Sequence, residues 1–280
     1  MATVKPEAEL PGLLSAGGVL DRIVLAKRAR LEATKSSLPL EAMAERARAV
    51  SSRRPHVFSE ALVRSDRVNI IAEIKQRSPS KGIICENFEA VRIGASYEAA
   101  GAAAISVLCE EDFFGGSIDH LRGVRKAVGL PVLRKDFIID EYQVYESAAA
   151  GADAVLLITA ILADPLLEQL LGLAQALNLE ALVEVHSRDE LTRAVRAGAS
   201  IVGVNNRDLT TFDVDLNVSM EIAALAPSDS ILVSESGITR GSDIRGLKQA
   251  GFSAFLIGEH FMRVDDPGRA LRELIGECVL

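Results

Sequence analysis

The feature that most restricts the fold is a rhythm beginning near residue 69. Eight short β-rich runs, near 70–75, 104–109, 132–137, 154–159, 181–186, 201–206, 231–235 and 254–258, alternate with amphipathic helical patterns such as FEAVRIGASYEAAG, EYQVYESAAAG, DPLLEQLLGLAQALN, SRDELTRAVRAG and GSDIRGLKQAG. Such alternation implies parallel pairing, because a parallel neighbour is reached only through a crossover long enough to hold a helix. Runs that are apolar throughout, such as AVLLI, belong in a sheet covered on both faces. Gly101, Gly151, Gly198 and Gly251 stand at helix ends directly before the next run, where a left-handed residue closes a helix. Eight units in one domain-sized stretch fit an α/β fold of the closed (β/α)8 TIM-barrel type. The rival, a doubly wound open sheet, lacks the Gly-x-Gly-x-x-Gly expected after its first strand.

The segment ahead of the barrel differs in charge. Residues 1–67 carry 12 Lys and Arg against 8 Asp and Glu, a net +4, while the remainder is at −12 within a chain at −8. LDRIVLAKRARLEATK places Leu20, Ile23, Val24 and Leu31 on one broad helical face, and PLEAMAERARAV begins a second helix at Pro39. The expected division is an N-terminal helical extension over 1–67 packed on a barrel over 68–280, together one structural domain. The basic residues are expected on a solvated helix face, with a basic arm against an acidic body as the weaker alternative. The apolar face is expected to cover part of the barrel mouth.

Several function classes lose support. An acidic chain without Trp, with 4% aromatic residues, favours neither nucleic acid nor a base- or sugar-stacking module. Cys85, Cys109 and Cys278 are far apart and read as ordinary packing or surface residues, and no Cys-x-x-Cys or His-Glu-x-x-His occurs. The residues carry no metal signature. The opening MATVKPEAELPGLL has no basic region followed by an apolar one, and no apolar run is long enough to span a bilayer. The expectations are a cytoplasmic location, no membrane partner and a monomer.

Polar residues gather at the C-terminal ends of the strands, which is where active sites lie in such barrels. The stretch IIAEIKQRSPSKG ends the first run with Glu73 and Lys75, two residues apart and so on one face. VLRKDF brings Lys135, ALVEVH brings Glu184, VNNRDL brings Asn205 and Arg207, and LVSESGI brings Glu235 and Ser236. A lone Lys–Glu pair would fit an ion pair plugging the barrel. A set this large fits that reading poorly, because each buried ion costs several kcal/mol unless well paired. Gly237 after the seventh run and Gly258 before Glu259 after the eighth occupy the usual phosphate position of this fold, where backbone N–H groups meet the anion. Lys75 would supply charge there.

Together, IIAEIKQRSPSKG, FFGGS, PVLRKDFIID, ADAVLLITAIL, LVEVH, VNNRDL, SESGI and FLIGE resemble the indole-3-glycerol phosphate synthase family of tryptophan biosynthesis, from about residue 15 to the C-terminus. The resemblance implies a (β/α)8 barrel with an N-terminal helical extension and no cofactor. Its activity would be ring closure of 1-(2-carboxyphenylamino)-1-deoxyribulose 5-phosphate with loss of carbon dioxide and water. It also implies that Lys135 is the general acid at the ribulose carbonyl and Glu184 the carboxylate of the later proton transfers. Lys75 would reach the phosphate and Glu73 the ribulose hydroxyls or the general acid, while Asn205, Arg207 and Glu235 position substrate. Ser236, Gly237, Gly258 and Glu259, the last through its backbone, would hold the phosphate. Pro79, Phe114 and Phe137, with Ser78 beside them, would wall the carboxyphenyl ring.

Two positions are read as bystanders. His260 stands where the family usually carries a small residue and is expected to point outward. His186 lies two residues beyond Glu184 on the same face. A phosphoribosylanthranilate isomerase would place a Cys and an Asp at strand ends, against the Glu and Lys of the first run. A non-catalytic barrel would be expected to lose Lys135 or Glu184, and both are present.

Overall fold

The computed structural model describes residues 12–50 and 54–279. The strands are β1 (Ile70–Ile74), β2 (Ala104–Leu108), β3 (Val132–Lys135), β4 (Ala154–Ile158), β5 (Glu180–Val185), β6 (Ile201–Asn205), β7 (Ile231–Glu235) and β8 (Ala254–Ile257). They close into one barrel in which every neighbour is parallel and β1 meets β8, with Ile71 opposite Leu256. The eight strands coincide with the eight β-rich runs to within two residues at either end. Continuous apolar strands are dictated by burial on both faces, and all five residues of β1, β2, β4 and β6 are buried. Gly101, Gly151, Gly198 and Gly251 all have φ between 90° and 107°, the left-handed conformation their positions called for.

The extension forms α1 (Gly18–Ser37), α2 (Leu40–Ala49) and α3 (Val57–Leu62). In α1, Leu20, Ile23, Val24 and Leu31 are buried as the periodicity predicted. Each such side chain contributes roughly 1.5–3 kcal/mol on burial, so this face, more than any surface ion pair, holds the helix down. Pro39 caps α2 at its N-terminus. The third helix, which periodicity did not reveal, lies at the other end of the barrel. There the backbone N–H groups of Phe58 and Ser59 donate to the Glu180 carboxylate at the start of β5, at 2.8 and 3.1 Å. The expectation about the first eleven residues lies outside the described residues.

The basic face of α1 is not simply solvated. Lys27 is buried and donates to Glu111 at 2.7 Å and to Asp136 at 2.9 Å. Arg30 pairs with Asp112 at 2.5 Å, and Lys35 with Asp140 at 2.6 Å. The weaker alternative therefore describes the structure: a basic arm lies against an acidic body, at the loops following β2 and β3. Burial alone would lower Lys27, but the Asp136 and Glu111 carboxylates outweigh it and hold the amine above its ordinary value. The arm touches the rim loops, and none of its described residues lines the central cavity, so the described part of the arm stands beside the mouth. Among the described residues no helix is long and apolar enough to cross a membrane.

Candidate active site

The C-terminal mouth of the barrel opens into a cavity of about 250 Å³. Its lining includes Glu73, Lys75, Ser78, Pro79, Phe114, Lys135, Phe137, Glu184, Asn205, Arg207, Glu235, Ser236, Gly237, Gly258 and Glu259. Every residue singled out in the sequence for binding or chemistry thus faces one space. The parallel pleat explains the convergence, since side chains alternate and each strand sends its last inward residue to the same end.

At the centre, Lys135 Nζ lies 2.9 Å from Glu184 Oε2 and 3.0 Å from Glu235 Oε2. These side chains come from β3, β5 and β7, and alternate strands sharing a layer is the expected filling of such a barrel. The Asn205 amide donates to Glu184 Oε1 at 3.2 Å. Burial alone would lower Lys135, but Glu184, Glu235 and Glu73 outweigh it and keep the amine firmly protonated. Burial would raise Glu184, whereas Lys135 and His186 hold it down to about 2. Glu235 goes the other way. Burial and the neighbouring Glu184 and Glu73 charges exceed the pull of Lys135 and push it up to about 7. One ammonium therefore sits between a carboxylate that stays ionised and a carboxyl that holds its proton near neutrality. An acid and a base within one hydrogen bond of each other can serve proton transfer to and from a bound carbonyl compound.

Glu73 and Lys75 pair at 2.5 Å on the β1 side. A side chain at Gly258 would collide with the Glu73 carboxylate, so the pair lies directly against the loop after β8, as the β1–β8 closure requires. Ser236 and Gly237 are both left-handed, with φ of 64° and 82°. That conformation costs about 1–2 kcal/mol for a residue with a Cβ. Asn206 holds it in place, its amide donating to the Glu235 carbonyl at 2.9 Å and the Ser236 carbonyl at 3.2 Å. Arg207 donates to the Phe212 carbonyl at 3.0 Å and to Glu259 at 3.1 Å. Glu259 therefore uses its side chain to restrain Arg207, beyond the backbone role the resemblance implied. The Phe261 and Met262 N–H groups of the short helix that opens at Glu259 both donate to the Gly258 carbonyl at 3.0 Å, which fixes the loop after β8 against the mouth.

The aromatic wall forms differently. Phe114 and Phe137 approach with ring centroids 6.1 Å apart. The fully buried Glu110 carboxylate shapes the FFGG loop by accepting the N–H groups of Asp112, Phe113 and Phe114 at 2.7–3.0 Å.

Sequence reasoning missed or misread some groups. Gly203 lies inside β6, and any side chain there would overlap Glu235 Oε1. A Gly within the apolar run IVGVN was the available signal. Asn206, the second Asn of VNNRDL, was passed over because it faces away from the cavity. His260 was expected to point outward but lines the cavity, its ring packed edge-on against Phe261 at 5.5 Å. A short helix begins at Glu259, so His260 falls in its first turn beside the mouth.

Comparison with known proteins agrees with this geometry. The family model for indole-3-glycerol phosphate synthase matches residues 20–274. The indole-3-glycerol phosphate synthase of Carboxydothermus hydrogenoformans is 45% identical over 261 residues, covering 91% of this chain and 99% of that protein. The protein of the same name from Ruminiclostridium cellulolyticum is 46% identical over 260 residues, covering 93% and 100%. Among solved structures, a 3-hexulose-6-phosphate synthase superposes with a TM-score of 0.60 at 19% identity, covering 75% of this chain and 99% of the other, which shows a shared fold. The matched span takes in the arm helices and all eight strands, and with them every group at the mouth: the chain belongs to the indole-3-glycerol phosphate synthase family.

Proposed function

We propose that this chain closes the indole ring of 1-(2-carboxyphenylamino)-1-deoxyribulose 5-phosphate, releasing carbon dioxide and water to give indole-3-glycerol phosphate. The observation that carries the assignment is the Lys135–Glu184 contact at 2.9 Å, at the mouth of a barrel of this family. The ring carbon bearing the carboxylate attacks the ribulose carbonyl while Lys135 gives its proton to the carbonyl oxygen and stabilises the charge developing there. Carbon dioxide leaves and restores aromaticity. Departure of the new hydroxyl as water needs a second proton, and a proton is then lost from the former ribulose C1. Glu184 serves these later transfers.

The phosphate is assigned to the loops holding Ser236–Gly237 and Gly258–Glu259, with Lys75 as the nearby cation. The two Phe rings and Pro79 take the carboxyphenyl group. Residues 1–67 are assigned as an N-terminal extension, of which α1 braces the loops at the mouth, packed on the barrel formed by 68–280, all as one structural domain. The test is incubation of the purified chain with the carboxyphenylamino substrate while indole fluorescence is followed. Substrate consumption with stoichiometric indole product is expected, and a folded protein that leaves the substrate intact would refute the assignment.

A further inference from the structure

The reaction has a proton imbalance. Two protons enter, one at the carbonyl oxygen and one on the departing hydroxyl, and one leaves from C1. One proton per turnover must therefore come from solvent. Lys135 supplies the first. Glu184 is ionised at rest, so it has none to give until something behind it supplies one.

His186 lies behind it. The imidazole Nε2 is 3.4 Å from Glu184 Oε1, and Nδ1 is 3.2 Å from Glu190 Oε2. Nε2 is buried and makes no hydrogen bond of good geometry, so it stands close to the Glu184 oxygen without being committed to it. The ring is held tightly. The His186 backbone N–H donates to the same Glu190 oxygen at 2.8 Å, and the Thr159 hydroxyl, which also donates to the Glu184 carbonyl at 2.7 Å, contacts Glu190 at 3.0 Å. Glu190 belongs to the helix Arg188–Arg196, and its side chain keeps 20% exposure, so this chain of groups ends at solvent. His186 does not line the cavity. Other titratable groups facing it are Glu235 from β7 and Asp208 from the loop after β6, both carboxyl groups, and Lys135 lies one carboxylate beyond. Burial disfavours an imidazolium here, but Glu190 and Glu184 outweigh it and raise the imidazole above its ordinary value.

Resting on the proposed reaction, we infer that His186 is a proton relay between Glu190 at the surface and Glu184 in the site, recharging Glu184 between ring closure and dehydration. Nε2 gives its proton to Glu184 Oε1. Glu184 passes it to the leaving hydroxyl, then accepts the C1 proton and returns it through Oε2 to the Lys135 amine. Nδ1 and Nε2 are reset by one solvent proton arriving through Glu190. No group is left changed, and one solvent proton is consumed.

The experiment is single-turnover kinetics on His186→Gln, with substrate loss, carbon dioxide release and indole appearance followed separately. The expected result is near-normal substrate loss and carbon dioxide release, with indole appearance slowed by about 10²-fold, the lower end for acid–base groups. Added imidazole should restore the indole rate in His186→Gln and leave Glu184→Gln unrescued. Glu190→Gln retains an acceptor oxygen for the fold, and should spare the first turnover while slowing later ones. The relay is overturned if indole appears at the wild-type rate in His186→Gln, as when Lys75 supplies the second proton, if all steps slow together without rescue, or if Glu190→Gln sustains the wild-type rate over repeated turnovers. If His186→Gln does not fold, Glu190→Gln alone decides. A wild-type chain that never forms indole refutes the reaction itself; a relay that fails leaves the wild-type activity intact.

Discussion

Lys135 Nζ and Glu184 Oε2 stand 2.9 Å apart, although their strands are separated by β4. Separate strands give separate walls only in a wide barrel. In this one the two side chains meet over the intervening strand, so substrate must enter between an acid and a base already in contact. Lys135→Ala should abolish condensation, with a loss of at least the roughly 10²–10⁴-fold typical of acid–base groups. Glu184→Gln keeps the shape of the pair and should slow steps after carbon dioxide release more than substrate binding. Single-turnover traces distinguish the two, and condensation at the wild-type rate in Lys135→Ala would shift the role of acid to Lys75.

Gly237 carries a second prediction. Its φ of 82° and its approach to Val214, which a Cβ would strike, both forbid a branched side chain. Gly237→Val should raise KM by about 5- to 30-fold, equivalent to the 1–2 kcal/mol of left-handed strain, with kcat less affected. Calorimetric titration with a phosphorylated substrate analogue is the check. Undiminished affinity in a folded variant would remove this loop from the phosphate site.

A third prediction concerns pH. Glu235 is pushed up to about 7 from an ordinary value of 4.5, so the folded chain binds a proton there that the unfolded chain has lost. Stability from this group is complete below pH 4.5 and declines as pH rises through 7. Glu235→Gln cannot ionise, so its stability relative to wild type should improve between pH 5 and pH 8, by about 3 kcal/mol at most. Urea midpoints at the two pH values test this, and parallel behaviour of the two proteins would show that Glu235 is ionised throughout.

Lys27 gives the fourth. Removing one partner of a buried pair costs about 3–5 kcal/mol when nothing replaces it. Here Asp136 keeps Arg134 at 2.9 Å, so Lys27→Met should fall below that range while remaining measurable in Tm. Because Asp136 adjoins Lys135 in the chain, kcat should fall while KM holds. An unchanged Tm would mean that the apolar face of α1 docks the arm without help.

The barrel was legible because its signals are local. Short β-rich runs, helix periodicity and helix-ending glycines each act within a few residues. The lining residues were legible too, since alternation along a strand carries Glu73 with Lys75 and fixes which way Glu184 points. Contacts between elements were not legible. Nothing near Lys27 announces that Asp136 and Glu111 meet it, and its basic neighbours look like any solvated face. His186 appeared incidental because its significance depends on Glu190, and a His and Glu four apart across a strand end and a helix start follow no single periodicity. Gly203 and Asn206 work through neighbours on β7, which sequence spacing alone cannot place.

The seam between β1 and β8 has a temporal side. Glu73 rests against Gly258, and Ile71 is opposite Leu256, so one edge of the site is drawn from the two ends of the barrel sequence. Contacts between residues so distant in the chain form late and slowly during folding. The Lys135–Glu184–Glu235 cluster needs only β3, β5 and β7, whereas the Glu73–Lys75 corner waits for the last strand to arrive. A chain whose last strand has not docked is therefore expected to lack the Glu73–Lys75 corner, and first activity during refolding should coincide with closure of the ring of strands.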